Sequence, residues 1–168
     1  MSFAVWLTGL PGAGKSAIAR ELLAALHARG VDAAVLESDV MRTQLTPFAT
    51  YEEAERDSFY RALADIAVLL SRDFPVIVDA TASRRAYRER ARAQIERFAE
   101  VYVSTPLEVS AQRNTKGLYR PGATTTLPGT QVPYEAPLSP ELVVPGHRGT
   151  PREGAAALVE LLERRGWI

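Results

Sequence analysis

Residues 9–16 read Gly9-Leu10-Pro11-Gly12-Ala13-Gly14-Lys15-Ser16 and satisfy the pattern G-x-x-x-x-G-K-[ST]. Glycines at that spacing let the backbone turn tightly, so that consecutive N–H groups point at one anion at the positive end of a helix dipole. Lys15 adds a mobile cation able to follow a transferring phosphoryl group, and the Ser16 hydroxyl suits a magnesium ligand. The segment is therefore expected to cradle the phosphates of ATP with Mg2+. A phosphate loop alone does not separate kinases from other nucleotide-binding proteins. The run Asn114-Thr-Lys-Gly-Leu118 carries a leucine where a guanine-reading motif needs an aspartate, which argues against a GTPase. Motor ATPases need further domains or an oligomeric arginine finger, and 168 residues leave little room for them. A small-molecule kinase fits the length.

Two carboxylates have the right sequence context to work beside that loop. Asp39 follows one apolar run and Asp79 closes another, so both are expected at the same crevice as Lys15. One carboxylate there can orient or deprotonate an acceptor hydroxyl, and the other can hold magnesium or its water shell. The alternative is that each caps the helix after it. Arg42, Arg56, Arg85 and Arg88 fall in helical segments that begin at the same edge, and guanidinium forks match planar anions such as phosphate and sulfate. Arg113 is placed to cover the adenine or reach the phosphates of ATP. Phe48 and Leu127 offer apolar cover for a base.

These groups need a scaffold that brings distant residues to one edge. Residues 3–8 form a short apolar run closed by glycine, the pattern of a strand buried on both faces. From residue 14 the apolar positions Ile18, Leu22 and Leu26 recur at helical spacing, with Gly30 placed for a left-handed stop. The alternation continues with strands at 33–37, 76–79 and 101–103 and helices at 52–72, 84–98, 106–113 and 152–165. Alternating β and α elements predict an open, mostly parallel sheet with helices on both faces, and ligands at the carboxyl ends of its strands. Residues 114–140, rich in proline and glycine, read as a lid over the nucleotide.

A hydrophobic content of 46% suffices for one domain over residues 1–168. Twenty basic residues balance twenty acidic ones, which argues against a nucleic-acid surface. There is no cysteine, so thiol chemistry and thiolate metal sites are excluded. No run approaches the roughly 18 apolar residues that span a bilayer, and the expectation is a cytoplasmic protein without a membrane partner. A homodimer is compatible with all of this.

With those residues in view, the chain resembles the adenylylsulfate kinases, which phosphorylate the 3′-hydroxyl of adenosine 5′-phosphosulfate with MgATP. Thr8-Gly-Leu-Pro-Gly-Ala-Gly-Lys-Ser16 looks like that family's phosphate loop, and residues 101–109 with Lys116-Gly-Leu-Tyr119 look like its signature ahead of the lid. Residues 133–137 and 140–143 match the segment that closes the lid. The resemblance implies that Asp39 serves magnesium and acceptor activation, that Arg42 binds substrate, and that Phe48 and Arg56 lie near the adenylyl group and its anion. Departures fall on the acceptor side: Glu37-Ser38 precede Asp39, Phe59 stands in place of an asparagine, and Thr81-Ala-Ser-Arg-Arg85 follows an Asp79 that the family pattern lacks. In the lid, Thr125 and Leu127 replace a lysine and a phenylalanine. Two further readings stay open: a related kinase acting on a different small metabolite or nucleotide, and a nucleotide-binding module without catalysis.

Overall fold

A computed structural model describes residues 2–113, 119 and 127–168. Within the expected lid, residues 114–118 and 120–126, Thr125 included, lie outside the described residues. The chain runs β1 (Ala4–Thr8), α1 (Lys15–His27), β2 (Ala34–Glu37), α2 (Ser38–Leu45), α3 (Glu53–Leu70), β3 (Val76–Asp79), α4 (Arg85–Arg92), β4 (Phe98–Ser104), α5 (Leu107–Arg113), β5 (Leu142–Pro145) and α6 (Pro151–Arg164). The five strands form one sheet in the order β2-β3-β1-β4-β5, and every pairing is parallel. The open parallel sheet expected from the alternation is the architecture observed.

Each strand sends alternate side chains to opposite layers. Val5, Leu7, Ile77, Val101 and Val103 pack with Ile18, Leu22 and Leu26 of α1 and Leu158 and Leu162 of α6. Ala4, Trp6, Val76, Val78 and Phe98 pack instead with Phe59, Tyr60 and Leu63 of α3 and Tyr87 and Ala91 of α4. The β1 run is apolar throughout because both faces are covered. β1 lies centrally, between β3 and β4, so the loop leaving its carboxyl end emerges at the middle of the sheet edge.

Three elements differ from the sequence reading. The helix expected over 84–98 ends at Arg92, because Phe98, Ala99 and Glu100 are drawn into β4 opposite Ala4, Val5 and Trp6. Helical spacing of Tyr87, Ala91 and Ile95 could not reveal that tertiary demand. β5 was unrecognised: its four residues end on Pro145, tolerated because this is an edge strand, and half its side chains face solvent. α2 has no buried residue and hence no apolar stripe to read.

A charged network ties the β5 side of the sheet to α4. Arg92 donates to the Glu141 carboxylate through Nη1 at 2.7 Å and Nη2 at 2.9 Å, and the Glu100 N–H donates to it at 2.6 Å. Burial alone would raise the Glu141 carboxyl, but these donors together hold it below its ordinary value of 4.5. A lowered folded-state pKa gives stability that is full above the unfolded value and is lost as pH falls through the folded one. We therefore expect urea denaturation of the wild type, followed from about pH 7 to about pH 3, to show a steeper acid loss than that of Glu141→Gln. Parallel curves would remove Glu141 from the account of acid sensitivity.

Candidate active site

The loop between β1 and α1 is shaped by glycines with left-handed φ. Gly14, at φ 108°, is the residue before α1, and Gly12, at φ 80°, lies so close to α5 that a Cβ there would come within 2.8 Å of the Ser110 carbonyl oxygen. The loop is held from below: Ala13 N–H donates to Leu10 O at 3.0 Å, while Thr105 Oγ1 and Arg113 Nη1 donate to Ala13 O at 2.9 and 3.2 Å. Arg113 also donates to Gly146 O at 2.7 Å, joining the loop to the end of β5. Tyr119 Oη closes the other side on Pro11 O at 2.6 Å.

Lys15 is 7% exposed, and its ammonium donates to Gly9 O and Leu10 O, both at 3.0 Å, and to Thr81 Oγ1 at 3.2 Å. It lies at the base of a crevice of about 710 Å³, a size suited to a small-molecule site. Pro11, Gly12, Gly14 and Ser16 form its floor. Gly9, Leu10 and Ala13 do not face it; their carbonyls hold the loop instead. Asp39, in the first turn of α2, and Asp79, at the last position of β3, both line the crevice. Ser16 and Asp39 offer only oxygen donors, a set that suits a hard divalent cation.

On the α2–α3 side the wall is made by Arg42, Tyr51, Arg56 and Tyr60. Arg42 donates to Glu55 Oε1 at 3.0 Å and stacks its guanidinium 4.0 Å from the centre of the Phe59 ring. The phenylalanine that departs from the family pattern thus supports an arginine expected to bind substrate. Burial would raise the Glu55 carboxyl, but donors from Thr50, Tyr51 and Arg42 hold it below the ordinary range, so this carboxylate stays charged and keeps Arg42 oriented. Tyr51 sits at φ 60°, a left-handed conformation that costs a residue with a Cβ. Arg56, itself 7% exposed, donates to the Tyr51 carbonyl at 3.4 Å. Burial pushes the Tyr60 phenol above its usual pKa, so it meets a ligand as a neutral hydroxyl.

Not all of the residues singled out in the sequence meet at this crevice. Leu127 and Arg113 do. Phe48 is 93% exposed on the connection after α2 and does not line it. Arg85 is turned away: its Nε donates to Ala136 O at 2.9 Å, and its N–H to the Glu135 carboxylate at 2.8 Å. Arg88, 1% exposed, donates to Glu100 Oε1 at 2.5 Å, Glu135 O at 2.7 Å and the Ala82 carbonyl. For Phe48, Arg85 and Arg88, the expected place beside a substrate is corrected to surface, loop anchor and core respectively. Both arginines are satisfied by carbonyls and carboxylates of the segment 133–137 and its supports, a tertiary arrangement that helical position alone does not reveal.

The sequence reading missed Thr81, Tyr51, Tyr60 and Arg148 as parts of the wall. Thr81 had a usable signal, since it lies two residues past a strand end already marked by Asp79. Arg148 had none, because its loop could not be placed without β5. Also unanticipated is a hydrogen-bonded path behind Lys15. Thr8 Oγ1 donates its one proton to Thr81 O at 2.6 Å and therefore accepts from Tyr134 Oη at 3.0 Å. Burial pushes the Tyr134 phenol up to about 12, which keeps that proton in place at neutral pH.

The sequence profile described as adenylylsulphate kinase matches residues 1–145. The chain belongs to the adenylylsulphate kinase family. An adenylyl-sulfate kinase of Microcystis aeruginosa is 39% identical over 168 residues, covering 98% of this chain and 93% of that protein. A probable bifunctional SAT/APS kinase of Sorangium cellulosum is also 39% identical, over 170 residues, but this chain spans only 29% of its length. Among solved structures, the Mycobacterium tuberculosis APS kinase in complex with AMPPNP and APS superposes with a TM-score of 0.88 at 32% identity, covering 96% of this chain and 98% of that one. Membership in the adenylylsulphate kinase family makes the chain an ATP-dependent kinase. No helix among the described residues is long and apolar enough to cross a membrane.

Proposed function

We infer that this chain transfers the γ-phosphoryl group of ATP to the 3′-hydroxyl of adenosine 5′-phosphosulfate. In this reading residues 1–168 act as one domain and residues 114–140 as its lid. The observation that carries the reading is the meeting of Lys15, Ser16 and Asp39 in one crevice whose facing wall holds Arg42 and Arg56. The likeness to a kinase solved with AMPPNP and APS supports both donor and acceptor.

The residues divide the work by their chemistry. The backbone N–H groups of Gly12, Gly14, Lys15 and Ser16 hold the β- and γ-phosphates, and Lys15 leaves one of its carbonyl acceptors to follow the γ-phosphoryl group. Asp39 accepts the proton of the acceptor hydroxyl as its oxygen bonds to phosphorus and ADP leaves. Arg42 and Arg56 bind the acceptor's anionic group, and the neutral Tyr60 hydroxyl can donate to the same ligand. Arg113 and Leu127 cover the nucleotide. Magnesium, held by Ser16 and Asp39, would offset charge on the triphosphate when bound.

The test is ADP release from purified protein with MgATP, comparing adenosine 5′-phosphosulfate with a panel of small hydroxyl acceptors. Turnover that depends on adenosine 5′-phosphosulfate is the expected result. Turnover only with another acceptor would replace the substrate assignment and keep the kinase, an outcome toward which the unusual 79–85 segment leans. Tight ATP binding with no turnover on any acceptor would leave a binding module.

A further inference from the structure

Thr81 stands where the phosphate loop meets the acceptor wall, and half of its hydroxyl is unused. It is 9% exposed and lines the crevice. Its Oγ1 accepts from Lys15 Nζ at 3.2 Å, and because an ammonium only donates, the threonine keeps its own hydrogen for another acceptor. Among the described residues none takes it. A buried hydroxyl with its donor unspent is unfavourable in the protein alone, so the acceptor is to be sought in what enters the crevice.

The backbone around that hydroxyl is held on both sides. The Thr81 carbonyl accepts from Thr8 Oγ1 at 2.6 Å, and Thr8 is fixed in turn by Tyr134 Oη at 3.0 Å. Ala82, the next residue, sits at φ 43°, anchors its carbonyl on Arg88 and presents its backbone N–H to the Tyr60 hydroxyl on the arginine-bearing wall. Thr81 therefore lies between the cation that follows the γ-phosphoryl group and the wall assigned to the acceptor, and its place is set before any ligand arrives. An oxygen bound by Lys15 at about 2.8 Å on the crevice side can lie within hydrogen-bond distance of Thr81 Oγ1 as well, since that atom is only 3.2 Å from the same ammonium.

We propose that Thr81 donates its hydroxyl hydrogen to an oxygen of the γ-phosphoryl group as that group passes from ATP to the acceptor, acting beside Lys15 rather than through it. The hydroxyl keeps its proton throughout and forms no covalent bond. A donor fixed in advance at the place where charge develops lowers the barrier without reorganising. Thr81 opens the 81–85 segment in which this chain departs from the adenylylsulfate kinase pattern, so this donor comes in addition to those of the phosphate loop. The assignment rests on γ-phosphoryl transfer as the reaction.

The test is a double-mutant cycle on the single-turnover rate of transfer from MgATP, using the acceptor that the wild type turns over fastest. Thr81→Val keeps the shape of the side chain and removes the hydroxyl. The rate falls about ten- to a hundredfold, on the scale of one lost transition-state donor, while AMPPNP affinity and the acceptor KM stay within about threefold. Thr81→Ser retains the donor and recovers most of the rate. Thr81→Ala loses it as valine does, which preserves the comparison if valine disturbs the packing. In a Lys15→Met background, Thr81→Val still slows transfer by about fivefold or more, because the donor acts on the phosphoryl group directly.

No further loss in the Lys15→Met background overturns the proposal, since Thr81 would then act only by holding Lys15. A wild-type rate in Thr81→Val, or a loss confined to the acceptor KM, overturns it too, and each of these leaves the kinase intact. A wild type that turns over no acceptor overturns this assignment together with the function on which it rests.

Discussion

Replacing Lys15 by Met should lower kcat by about 10²–10³-fold or more while the protein stays folded. The Lys15 ammonium is held at the crevice floor by Gly9 O, Leu10 O and Thr81 Oγ1. Its three N–H groups are thus already aligned by backbone and hydroxyl, and a phosphate oxygen needs only to displace one acceptor. A cation positioned before substrate arrives stabilises developing charge without reorganisation, the condition under which such groups contribute most. Methionine keeps the length and loses the charge. ADP release and a thermal melt check the two halves of the expectation, and activity within tenfold of the wild type would contradict the role given to Lys15.

Arg88→Met should act in the opposite sense, costing about 3–5 kcal/mol of stability with little direct effect on substrate binding. Among the described residues Arg88 is the second-largest of the fully buried side chains, and it faces a Glu100 carboxylate that is itself 4% exposed. Removing the guanidinium leaves that carboxylate to Arg92 alone, whose Nη2 reaches it at 3.2 Å. It also frees the carbonyl of Ala82, a residue at φ 43° whose left-handed backbone needs outside support. For a chain of this length the melting temperature should fall by on the order of 10 °C. A variant with wild-type stability and a raised acceptor KM would restore Arg88 to the substrate site.

The contrast between Lys15 and Arg88 marks what the sequence could disclose. Local patterns carried the β1–loop–α1 unit, because tight glycine spacing and the Ile18, Leu22 and Leu26 stripe are properties of adjacent residues. They also carried the parallel sheet, since strands buried on both faces have to be joined by helices. The destinations of long side chains were not legible. Arg42, Arg56, Arg85 and Arg88 look alike on a helix, but the first two meet the crevice, whereas Arg85 is taken up by residues 50 and 51 positions away and Arg88 by Glu135, 47 positions away, together with Ala82 and Glu100. Side-chain fate there depends on how the segment 133–137 returns across the sheet edge.

The central position of β1 has one more consequence. Donor groups gather on the α1 side of the sheet edge and the proposed acceptor wall on the α3 side, with Lys15 between them. Reactants arriving from opposite sides leave the transferring phosphorus to be attacked from behind as its old bond breaks. On that arrangement each turnover inverts the stereochemistry at phosphorus, and no phosphorylated side chain is needed as a way station.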